Sequence, residues 1–472
     1  MFNSSADALR YIASGDVAMV DLKVVGVGGQ WLHLTIPAAR FGAGHLEEGV
    51  GFDGSSGSGY AQVESGDVAA LPVIESAFLD PFFEKPTLSF LCRVVSADTG
   101  EPATADPRGI AERAEAYLRR SGVADEAWMA PEYEFSVFDA VQVRCGPYDT
   151  RVRIASHEAD GRDGGAAIPH QGGYLRVPPG DQLHDLRTEI ASILLSLGVP
   201  VRYHHHEVGA AGQCELEVAL EPLVRAADHA MLAKYVIKNV ARRRGKLATF
   251  MPKPIFGEAG NGMHVHQRLT LAGHPVFHQS GPDRYADLSD VALHYISGIL
   301  MHGRALAGIT NPSTNSYKRL VEGYEAPVHL FFGLANRAAA IRVPRYAVRP
   351  EEKRIEYRPP DFTGNVYLSL AAMLMAGIDG IVQRWFPQDH YLGPYEFDLA
   401  TADAEFRARI AALPRTLEEA LDALRADHEF LTAGDVFTPA FLAGWMGARL
   451  RQDARAVAVR PHPYEYQLYL DT

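Results

Sequence analysis

The sequence predicts an α+β protein, with a small β-rich domain at the N-terminus and a large domain of mixed helices and strands after it. Three observations lead to this prediction. Residues 17–37 read as two strands joined by a Gly-Gly turn, and a further strand is predicted at 86–95. Residues 96–109 then combine Pro, Gly, Asp and Thr without periodicity, which indicates a domain boundary. Beyond it, amphipathic helices alternate with strands. We therefore expect domains at 1–105 and 106–472.

The elements of the second domain follow in chain order. A helix is predicted over 109–123, where apolar residues recur on one face and a glycine ends the pattern. A strand follows at 131–139, and the polar, glycine-rich stretch 146–173 predicts an exposed loop or insertion. Leucines and isoleucines at helical spacing predict a core-facing helix over 182–198. Further helices are predicted in AMLAKYVIKNVARRRGKLATF, SDVALHYISGILMHGRALAGI and NVYLSLAAMLMAGIDGIV.

Composition excludes several classes of protein. The 472 residues are 47% hydrophobic and 22% charged, as in ordinary folded globular proteins. The net charge of −13, without a Lys/Arg-rich block, argues against a nucleic-acid partner. The N-terminus lacks a secretory pattern and no run of about 18 consecutive apolar residues occurs, so we expect a cytoplasmic protein with no membrane partner. Three cysteines without a CxxC pair argue against a disulfide framework. Cys214 is a conceivable nucleophile because histidines precede it, but a small, half-buried strand residue is the preferred interpretation.

A set of acidic residues with one histidine, all placed in short apolar segments, is the most informative feature of the chain. Carboxylates among apolar residues cost several kcal/mol each unless something cationic neutralises them. In PEYEF the strand period of two places two carboxylates on one face, where divalent cations between them would relieve their repulsion. Carboxylates and an imidazole suit Mg²⁺ or Mn²⁺ rather than a thiolate-bound metal. The set comprises Glu132, Glu134, Glu207, Glu215, His264 and Glu356.

Other motifs are undecided when each is taken singly. The glycine-rich loop 49–60 has the composition of an ordinary turn. The histidines of 204–208 and 264–266 are as often surface or packing residues as metal ligands. The polar, Pro- and Gly-punctuated segment 311–327 has the composition of a mobile lid. In RIEYR, at 354–358, two arginines and a glutamate share one strand face, and the plain interpretation is a surface ion-pair ladder.

The order of the motifs along the chain closely resembles the type I bacterial glutamine synthetase family. The motifs that match are FDGSS, ExEF, GGYLRVPP, HHEVxxAGQxE, KPxFG, GMHxH, NSYKRLxxGYEAP, NRxAxIRxP and RIExR. The resemblance spans nearly the whole chain. It implies a small β-grasp-like N-terminal domain and a large glutamine-synthetase-type catalytic α+β domain whose curved strands line a funnel.

The resemblance also implies a reaction and its cofactors. The implied reaction is the ATP-dependent ligation of ammonia to the γ-carboxylate of L-glutamate, through γ-glutamyl phosphate. Its substrates would be glutamate, ammonium and ATP, and its cofactors two or more Mg²⁺ or Mn²⁺ ions. A relative that ligates an alkylamine or a polyamine to glutamate is the first alternative. A non-catalytic assembly or regulatory homologue is the second, which missing metal ligands would support, and all six are present.

Residue roles follow from the matched motifs. The first metal would be held by Glu134, Glu207 and Glu215, and the second by Glu132, His264 and Glu356. Catalytic roles would fall to Asp53 as proton acceptor, Glu325 on the lid, and Arg337. Substrate contacts would come from the ammonium pocket of Asp53, Ser56, Tyr174 and Glu207, from Arg319 and Arg358 on the α-carboxylate, and from Gly260. ATP would be bound by His266, Arg342 and Arg354.

The resemblance further implies an assembly, and the chain departs from the family at a few positions. Family members are dodecamers of two hexameric rings whose active sites lie between neighbours, with the FDGSS loop supplied in trans. Ala259 replaces a usual Asn, Arg268 replaces a usual Ser near ATP, and Glu351 replaces a common nucleotide-side Lys. The adenylylation motif of the family is not reproduced, and Tyr395 is the residue nearest to it.

Overall fold

The computed structural model describes residues 2–56, 59–60, 66–160, 167–397 and 399–472. The helices are α1 Ser5–Ala13, α2 Ala43–Glu47, α3 Pro107–Ser121, α4 His157–Asp160, α5 His184–Ser196, α6 Leu223–Arg243, α7 Asp290–Met301, α8 Gly303–Thr310, α9 Ser316–Arg319, α10 Val366–Gln383, α11 Ala404–Ala408, α12 Leu417–Ala426, α13 Glu429–Thr432, α14 Pro439–Arg449, α15 Arg455–Ala458 and α16 Pro463–Tyr469. The strands are β1 Met19–Val25, β2 Trp31–Pro37, β3 Val50–Asp53, β4 Asp67–Pro72, β5 Phe78–Leu79, β6 Thr87–Ser96, β7 Glu126–Pro131, β8 Tyr133–Phe138, β9 Ala140–Cys145, β10 Thr150–Ala155, β11 Val201–His206, β12 Gln213–Val218, β13 Glu221–Pro222, β14 Leu247–Thr249, β15 Val265–Leu271, β16 His274–Pro275, β17 His329–Leu334, β18 Ala339–Val343 and β19 Ile355–Tyr357.

The N-terminal strands form one mixed sheet in the order β2-β1-β6-β4-β3, with β5 paired to β6. The predicted hairpin is present, because β1 and β2 pair antiparallel, and the strand predicted at 86–95 is β6, parallel to β1. Strand β3 forms one edge of this sheet and ends at Asp53, so the glycine-rich loop begins at a sheet edge. Gly57 and Ser58 of that loop lie outside the described residues.

The hairpin turn fastens the N-terminal sheet to the second domain. Gly29 has φ +84°, and a Cβ there would lie 3.0 Å from the Cα of Asn365. Only glycine combines this backbone conformation with so close an approach. Asn365 caps the first turn of α10 and its Nδ2 donates to the backbone oxygens of Gly26 and Val27, both at 3.2 Å. The turn therefore docks on the start of the central helix.

Two sheets of the second domain carry the acidic segments. The larger sheet has the order β13-β7-β15-β19-β18-β17, with β16 paired to β15, and the smaller has the order β11-β12-β8-β14. Strands β7 and β8 are consecutive in sequence but belong to different sheets, so the chain passes from one sheet to the other at Glu132. The predicted α+β fold class is confirmed.

Helix α10 is the centre of the helical layer. It packs against α3, α6, α7 and α8, and most of its residues are buried. Among the described helices, it is the one that is long and apolar enough to cross a membrane. However, 78% of it is buried inside the protein. It is therefore the core helix. The helix predicted over SDVALHYISGILMHGRALAGI is divided into α7 and α8 at His302.

Two loop predictions are wrong in part. The stretch 146–173 contains β10, which pairs with β9 as an antiparallel ribbon, and the helix α4. Residues 161–166 of that stretch lie outside the described residues. The segment 311–327 is not a lid throughout, because 311–320 is largely buried and contains α9, whereas 321–326 is exposed or half-buried. The backbone there is held by Asn311, whose Nδ2 donates to the oxygen of Pro359 at 2.7 Å and to the carboxylate of Asp361 at 2.9 Å.

Candidate active site

The point where the chain changes sheets brings two predicted ligands to one histidine. Glu132 Oε2 lies 2.8 Å from Nδ1 of His264, and Glu134 Oε1 lies 3.6 Å from its Nε2. The residue between them, Tyr133, points the other way into the core and stacks on Phe362 with ring centroids 5.3 Å apart. The strand period of two therefore places both carboxylates on one side, as the sequence predicts.

The larger sheet contributes two rows of side chains to this side. The first row is Glu132, His264 and Arg358, at the ends of β7, β15 and β19. The second row, two residues further along, is His266, Glu356 and Arg342, which the register places directly opposite one another. Glu356 is fully buried and its Oε1 accepts from Nη1 of Arg358 at 2.6 Å, while its Oε2 pairs with Arg342. The interpretation of RIEYR as a surface ladder is therefore wrong.

The smaller sheet faces these rows with a third acidic group. Register places His205, Glu215 and Glu134 opposite one another on β11, β12 and β8. Glu207 follows β11, and the imidazole of His205 lies 3.6 Å from the Glu215 carboxylate and 3.8 Å from that of Glu207. His205 is a candidate ligand that sequence reasoning missed. The signal was available, because His205 and Glu207 are two residues apart on an extended segment.

The cavity is electrostatically divided. Burial, with repulsion from the other acids of the cavity, raises the pKa of Glu207 and of Glu215 well above the ordinary range. Burial also acts to raise the pKa of Glu132, but hydrogen bonds from His264 and His266 hold it well below its usual value. For Glu356, burial and Glu132 act upward, yet Arg358, His266 and Arg342 bring the pKa to about 2. Among the described residues, Glu207 and Glu215 have no lysine or arginine within salt-bridge distance, so this half of the cavity is where divalent cations would be most stabilising.

The ligand atoms also fit hard cations by position. Among the described residues, two sets have ligand atoms that all lie within 4.8 Å of one another: Glu132, His266 and Glu356 form one, and His205, Glu207 and Glu215 form the other. His264, the imidazole predicted for the second metal, lies 3.7 Å from Glu356 as well as 2.8 Å from Glu132. Oxygen-rich sets with one imidazole suit Mg²⁺ or Mn²⁺.

Most of the predicted site residues line one cavity of about 260 Å³. Those that line it are Glu132, Glu134, Tyr174, Glu207, Glu215, Gly260, His264, Arg319, Glu325, Arg337, Arg342, Glu356 and Arg358. His266 lies behind the wall, where its Nε2 is 2.9 Å from Glu132 Oε1, so it orients that carboxylate. Arg354 does not line the cavity itself. Its guanidinium lies 5.4 Å from the ring centroid of Tyr346, which does line it.

Asp53 and Ser56 do not line the cavity of their own chain. Both are exposed on the loop after β3, where Asp53 accepts hydrogen bonds from the hydroxyls of Ser55 and Ser56. These bonds lower the pKa of Asp53 to about 2. The structure therefore leaves the predicted proton acceptor exposed at the edge of the N-terminal sheet.

The predicted substrate arginines are rigidly held. Arg319 is buried, and its guanidinium donates to the backbone oxygens of Pro359 at 2.8 Å and Arg358 at 3.1 Å. A Cβ at Gly260 would lie 2.4 Å from the oxygen of Pro252 and 2.8 Å from Cγ of Arg319, so this wall accepts only glycine. Held guanidiniums keep their fork geometry for a carboxylate at little entropic cost.

The segment over the cavity is strained at Glu325. This residue has φ 55°, a conformation that non-glycine residues seldom adopt, and its backbone oxygen accepts from Nη2 of Arg358 at 3.2 Å. Its side chain is exposed, as is that of Arg337 in the loop between β17 and β18. Strain of this kind is concentrated at functional segments that change conformation.

Cys214 is not a nucleophile. It is fully buried in β12, more completely than the sequence interpretation expected, and burial raises the pKa of its thiol to about 12. The thiolate is therefore negligible at neutral pH.

Comparison with known proteins agrees with this geometry. A family model described as the glutamine synthetase catalytic domain matches residues 104–469, and one described as the glutamine synthetase beta-Grasp domain matches residues 16–97. The chain belongs to the glutamine synthetase family. The resemblance found in the sequence is thereby confirmed, including the β-grasp character of the N-terminal domain. Membership in the glutamine synthetase family implies the use of ATP and divalent metal ions.

Individual relatives in the glutamine synthetase family match over the full length. Glutamine synthetase of Frankia alni is 43% identical, and that of Streptomyces coelicolor is 42% identical, each with 100% of both chains covered. Among solved structures, Plasmodium falciparum glutamine synthetase has a TM-score of 0.89 at 25% identity, covering 99% of each chain. A GmaS/ADP complex has a TM-score of 0.81 at 26% identity, covering 98% of this chain and 99% of the other.

Proposed function

We propose that this cavity joins ammonia to the γ-carboxylate of L-glutamate at the expense of ATP, giving glutamine, ADP and phosphate. The observation that carries the proposal is the meeting of two carboxylate–imidazole sets with guanidiniums around one cavity. The prediction of a glutamate–ammonia ligase is confirmed by relatives named glutamine synthetase at 41–43% identity over nearly the whole chain. The alkylamine or polyamine alternative is not favoured, because the full-length relatives at 41–43% identity are named glutamine synthetase.

Each set of ligands has a proposed task. Glu134, Glu207 and Glu215, joined by His205, would hold one Mg²⁺ or Mn²⁺. Glu132, Glu356 and an imidazole from the HVH pair would hold the other. When bound, such ions supply Lewis-acid stabilisation of charge on the transferring phosphoryl group. His266 would keep Glu132 ionised and oriented through its ring nitrogen, 2.9 Å from the carboxylate, as histidines and carboxylates around other metal sites orient the ligands.

The arginines of the cavity complete the first step. Arg319 and Arg358 would bind the α-carboxylate of glutamate, and Arg337 with Arg342 would bind phosphate oxygens, where guanidinium forks match the charge. Gly260 would let the substrate approach the backbone closely. Glu325 would cover the glutamyl phosphate and exclude water. Arg354 would extend the cationic surface toward the remainder of ATP.

The second step needs an amine pocket that one chain does not complete. Tyr174, whose ring meets His205 edge-on at 5.5 Å, and Glu207 line one side of it. Asp53 and Ser56 would enter from a neighbouring subunit, where Asp53 would accept the proton of ammonium as attack begins. We therefore propose a homo-dodecamer of two hexameric rings with shared active sites, located in the cytoplasm. We further propose a division into domains at 1–105 and 106–472.

The acceptor amine is the sharpest test. Purified protein would be given glutamate, ATP and Mg²⁺ or Mn²⁺ with ammonium, methylamine, ethanolamine or a polyamine at equal concentrations of free base. We expect ADP release and amide formation to be fastest with ammonium, and to vanish without glutamate. The Glu134→Gln variant, which removes a ligand, serves as the background control. Faster turnover with a larger amine would overturn the proposed acceptor while retaining the ligase chemistry.

A further inference from the structure

A third row of side chains continues the two rows of the larger sheet, and of its members only Arg354 has been given a role so far. It consists of Trp128 on β7, Arg268 on β15 and Arg354 just before β19. Register places Arg268 directly opposite Trp128, and the pairing of His266 with Glu356, continued by two residues, places Arg268 opposite Arg354. Because strand residues alternate between faces, this row lies on the same face as His264, His266 and Glu356.

Two guanidiniums that face each other across antiparallel strands repel one another. In the part of the chain that the structure describes, neither has a carboxylate within salt-bridge distance. Arg268 donates only to the backbone oxygen of Glu351, and Arg354 only to that of Glu352 at 3.1 Å. Glu351 and Glu217, which act on the pair only at longer range, are engaged elsewhere: Glu351 lies 3.5 Å from Arg349, and Glu217 lies 2.6 Å from Arg202.

Two further observations indicate that this pair could bind an anion. The Nε of Arg268 is buried without a hydrogen-bond partner. The guanidinium of Arg268 packs beside Trp128, 5.3 Å from the indole centroid. The pair also adjoins the cavity, because Tyr346 lines the cavity wall and lies 5.4 Å from Arg354 and 5.9 Å from Arg342.

We propose that Arg268 is a nucleotide-binding residue and that, with Arg354, it binds phosphate oxygens beyond the γ-phosphoryl group. The inference rests on the proposed function for the identity of the nucleotide. Two residues along a strand span about 6.7 Å. The pair therefore lies about that far from the row of Glu356 and His266, a distance that a polyphosphate chain can span. A bound polyphosphate would relieve the repulsion between the two guanidiniums and occupy the free Nε donor.

The test separates binding of phosphate from ordering of the backbone. Affinities for Mg·ADP and for adenosine would be measured by calorimetry on the assembled wild type, Arg268→Gln and Arg268→Lys. Arg349→Gln is the matched control, because Arg349 is exposed and belongs to the same segment that Arg268 contacts through Glu351. KM for ATP and for glutamate would be measured alongside.

We expect Arg268→Gln to weaken Mg·ADP about tenfold or more, as for loss of a charge-assisted hydrogen bond, with adenosine affinity and KM for glutamate changed less than about twofold. Arg268→Lys should lie between the two. Unchanged ADP affinity would overturn the proposal. So would equal loss for adenosine and ADP, or the same loss in Arg349→Gln, since both would mean that Arg268 only orders its segment. A wild type that binds ADP but makes no glutamine would overturn the proposed function and leave this inference standing.

Discussion

We propose that Glu356 is the residue on which the phosphoryl-transfer half of the site depends most directly. It is fully buried, and it is the only carboxylate that Arg342 and Arg358 contact within salt-bridge distance among the described residues. We expect Glu356→Gln to lower glutamate-dependent ATP cleavage by about three orders of magnitude, because the proposed metal ligand, worth several kcal/mol, becomes neutral. Single-turnover phosphoryl transfer measures the loss, and Mn²⁺ titration by electron paramagnetic resonance counts the ions bound.

Glutamine is the appropriate replacement, since alanine would leave two buried guanidiniums facing a void. Glu352→Gln is the control, because Glu352 stands in the same segment but is partly exposed and pairs with Arg349. Near-normal phosphoryl transfer in an assembled Glu356→Gln enzyme would remove Glu356 from the metal site.

Sequence patterns predict the position of a side chain well when it depends on the period of a single strand. They predict it poorly when it depends on how two strands pair. Glu132 and Glu134 share a side because of a local period of two, so the sequence predicts them correctly. The neutralisation of Glu356 by Arg342 depends on the pairing of β18 with β19, which a sequence does not display. For the same reason RIEYR resembles a surface ladder in sequence and is buried in the structure.

Helices α7 and α10 cross at a contact made by glycines. A Cβ at Gly298 would lie 2.1 Å from the backbone oxygen of Ala376 and 2.8 Å from the Cα of Gly380, so the backbones themselves would have to separate. We expect Gly298→Ala to lower the free energy of unfolding by about 1–3 kcal/mol, as overpacking does. Gly444→Ala in α14 is the matched control, with no atom within 4 Å of the new methyl group.

The control should change stability in the opposite direction. Alanine in an open helix position stabilises by about 0.5–1 kcal/mol relative to glycine. Thermal midpoints measured at one fixed protein concentration would compare the two variants, because the midpoint of an oligomer depends on concentration. Equal shifts of the same sign would contradict the close-contact argument.

His302, at the junction of α7 and α8, joins three helical elements through its ring. Its Nε2 lies 3.0 Å from Asp379 of α10, and its Nδ1 lies 2.8 Å from Asp427 after α12. Burial acts to lower the pKa of His302, but the two carboxylates raise it above its usual 6.5. The imidazolium is thus favoured in the folded state. Its contribution to the free energy of unfolding is complete below pH 6.5 and is lost as pH rises through the raised pKa of the folded state.

We therefore expect the thermal midpoint of wild type to exceed that of His302→Gln by more at pH 6 than at pH 9. The same comparison of thermal midpoints would be made between wild type and Asp427→Asn, which removes the more exposed of the two carboxylates. The pH-dependent difference should be smaller than for His302→Gln and of the same sign. A difference that is constant with pH would mean that His302 contributes packing on Phe430, 4.0 Å away, rather than charge.

Elements were predictable in proportion to the strength of their own periodicity. Helices α3, α5, α6 and α10 follow from their apolar stripes. The ribbon of β9 and β10 does not, because both faces of its strands are largely exposed and so no apolar alternation marks it. The segment 311–327 has the composition of a loop, yet buried amide contacts of Asn311 fix its first half. Tertiary hydrogen bonds, rather than composition, decide which part is free to move.

At the scale of the whole molecule, the role that we propose for Asp53 requires a particular assembly. The loop after β3 is exposed at the edge of the N-terminal sheet and does not line the cavity of its own chain, whereas Arg337 does. A head-to-tail interface between identical subunits would bring the loop of one to the cavity of the next. A protein with such sites is inactive when either contribution is removed from every subunit.

Mixing two inactive variants tests this arrangement. Oligomers of Asp53→Ala alone and of Arg337→Ala alone should be inactive in amide formation. After dissociation and reassembly as an equal mixture, about a quarter of the interfaces would pair an intact loop with an intact cavity, if each site takes one contribution from each of two neighbours. Glutamine formation should therefore return to about that fraction of wild type.

As the control, a double variant carrying both substitutions on one chain, mixed with wild type, would leave about a quarter of the sites intact through a different pairing. No recovery in oligomers verified as mixed by mass spectrometry, or full activity in a purified monomer, would show that each cavity works with its own loop.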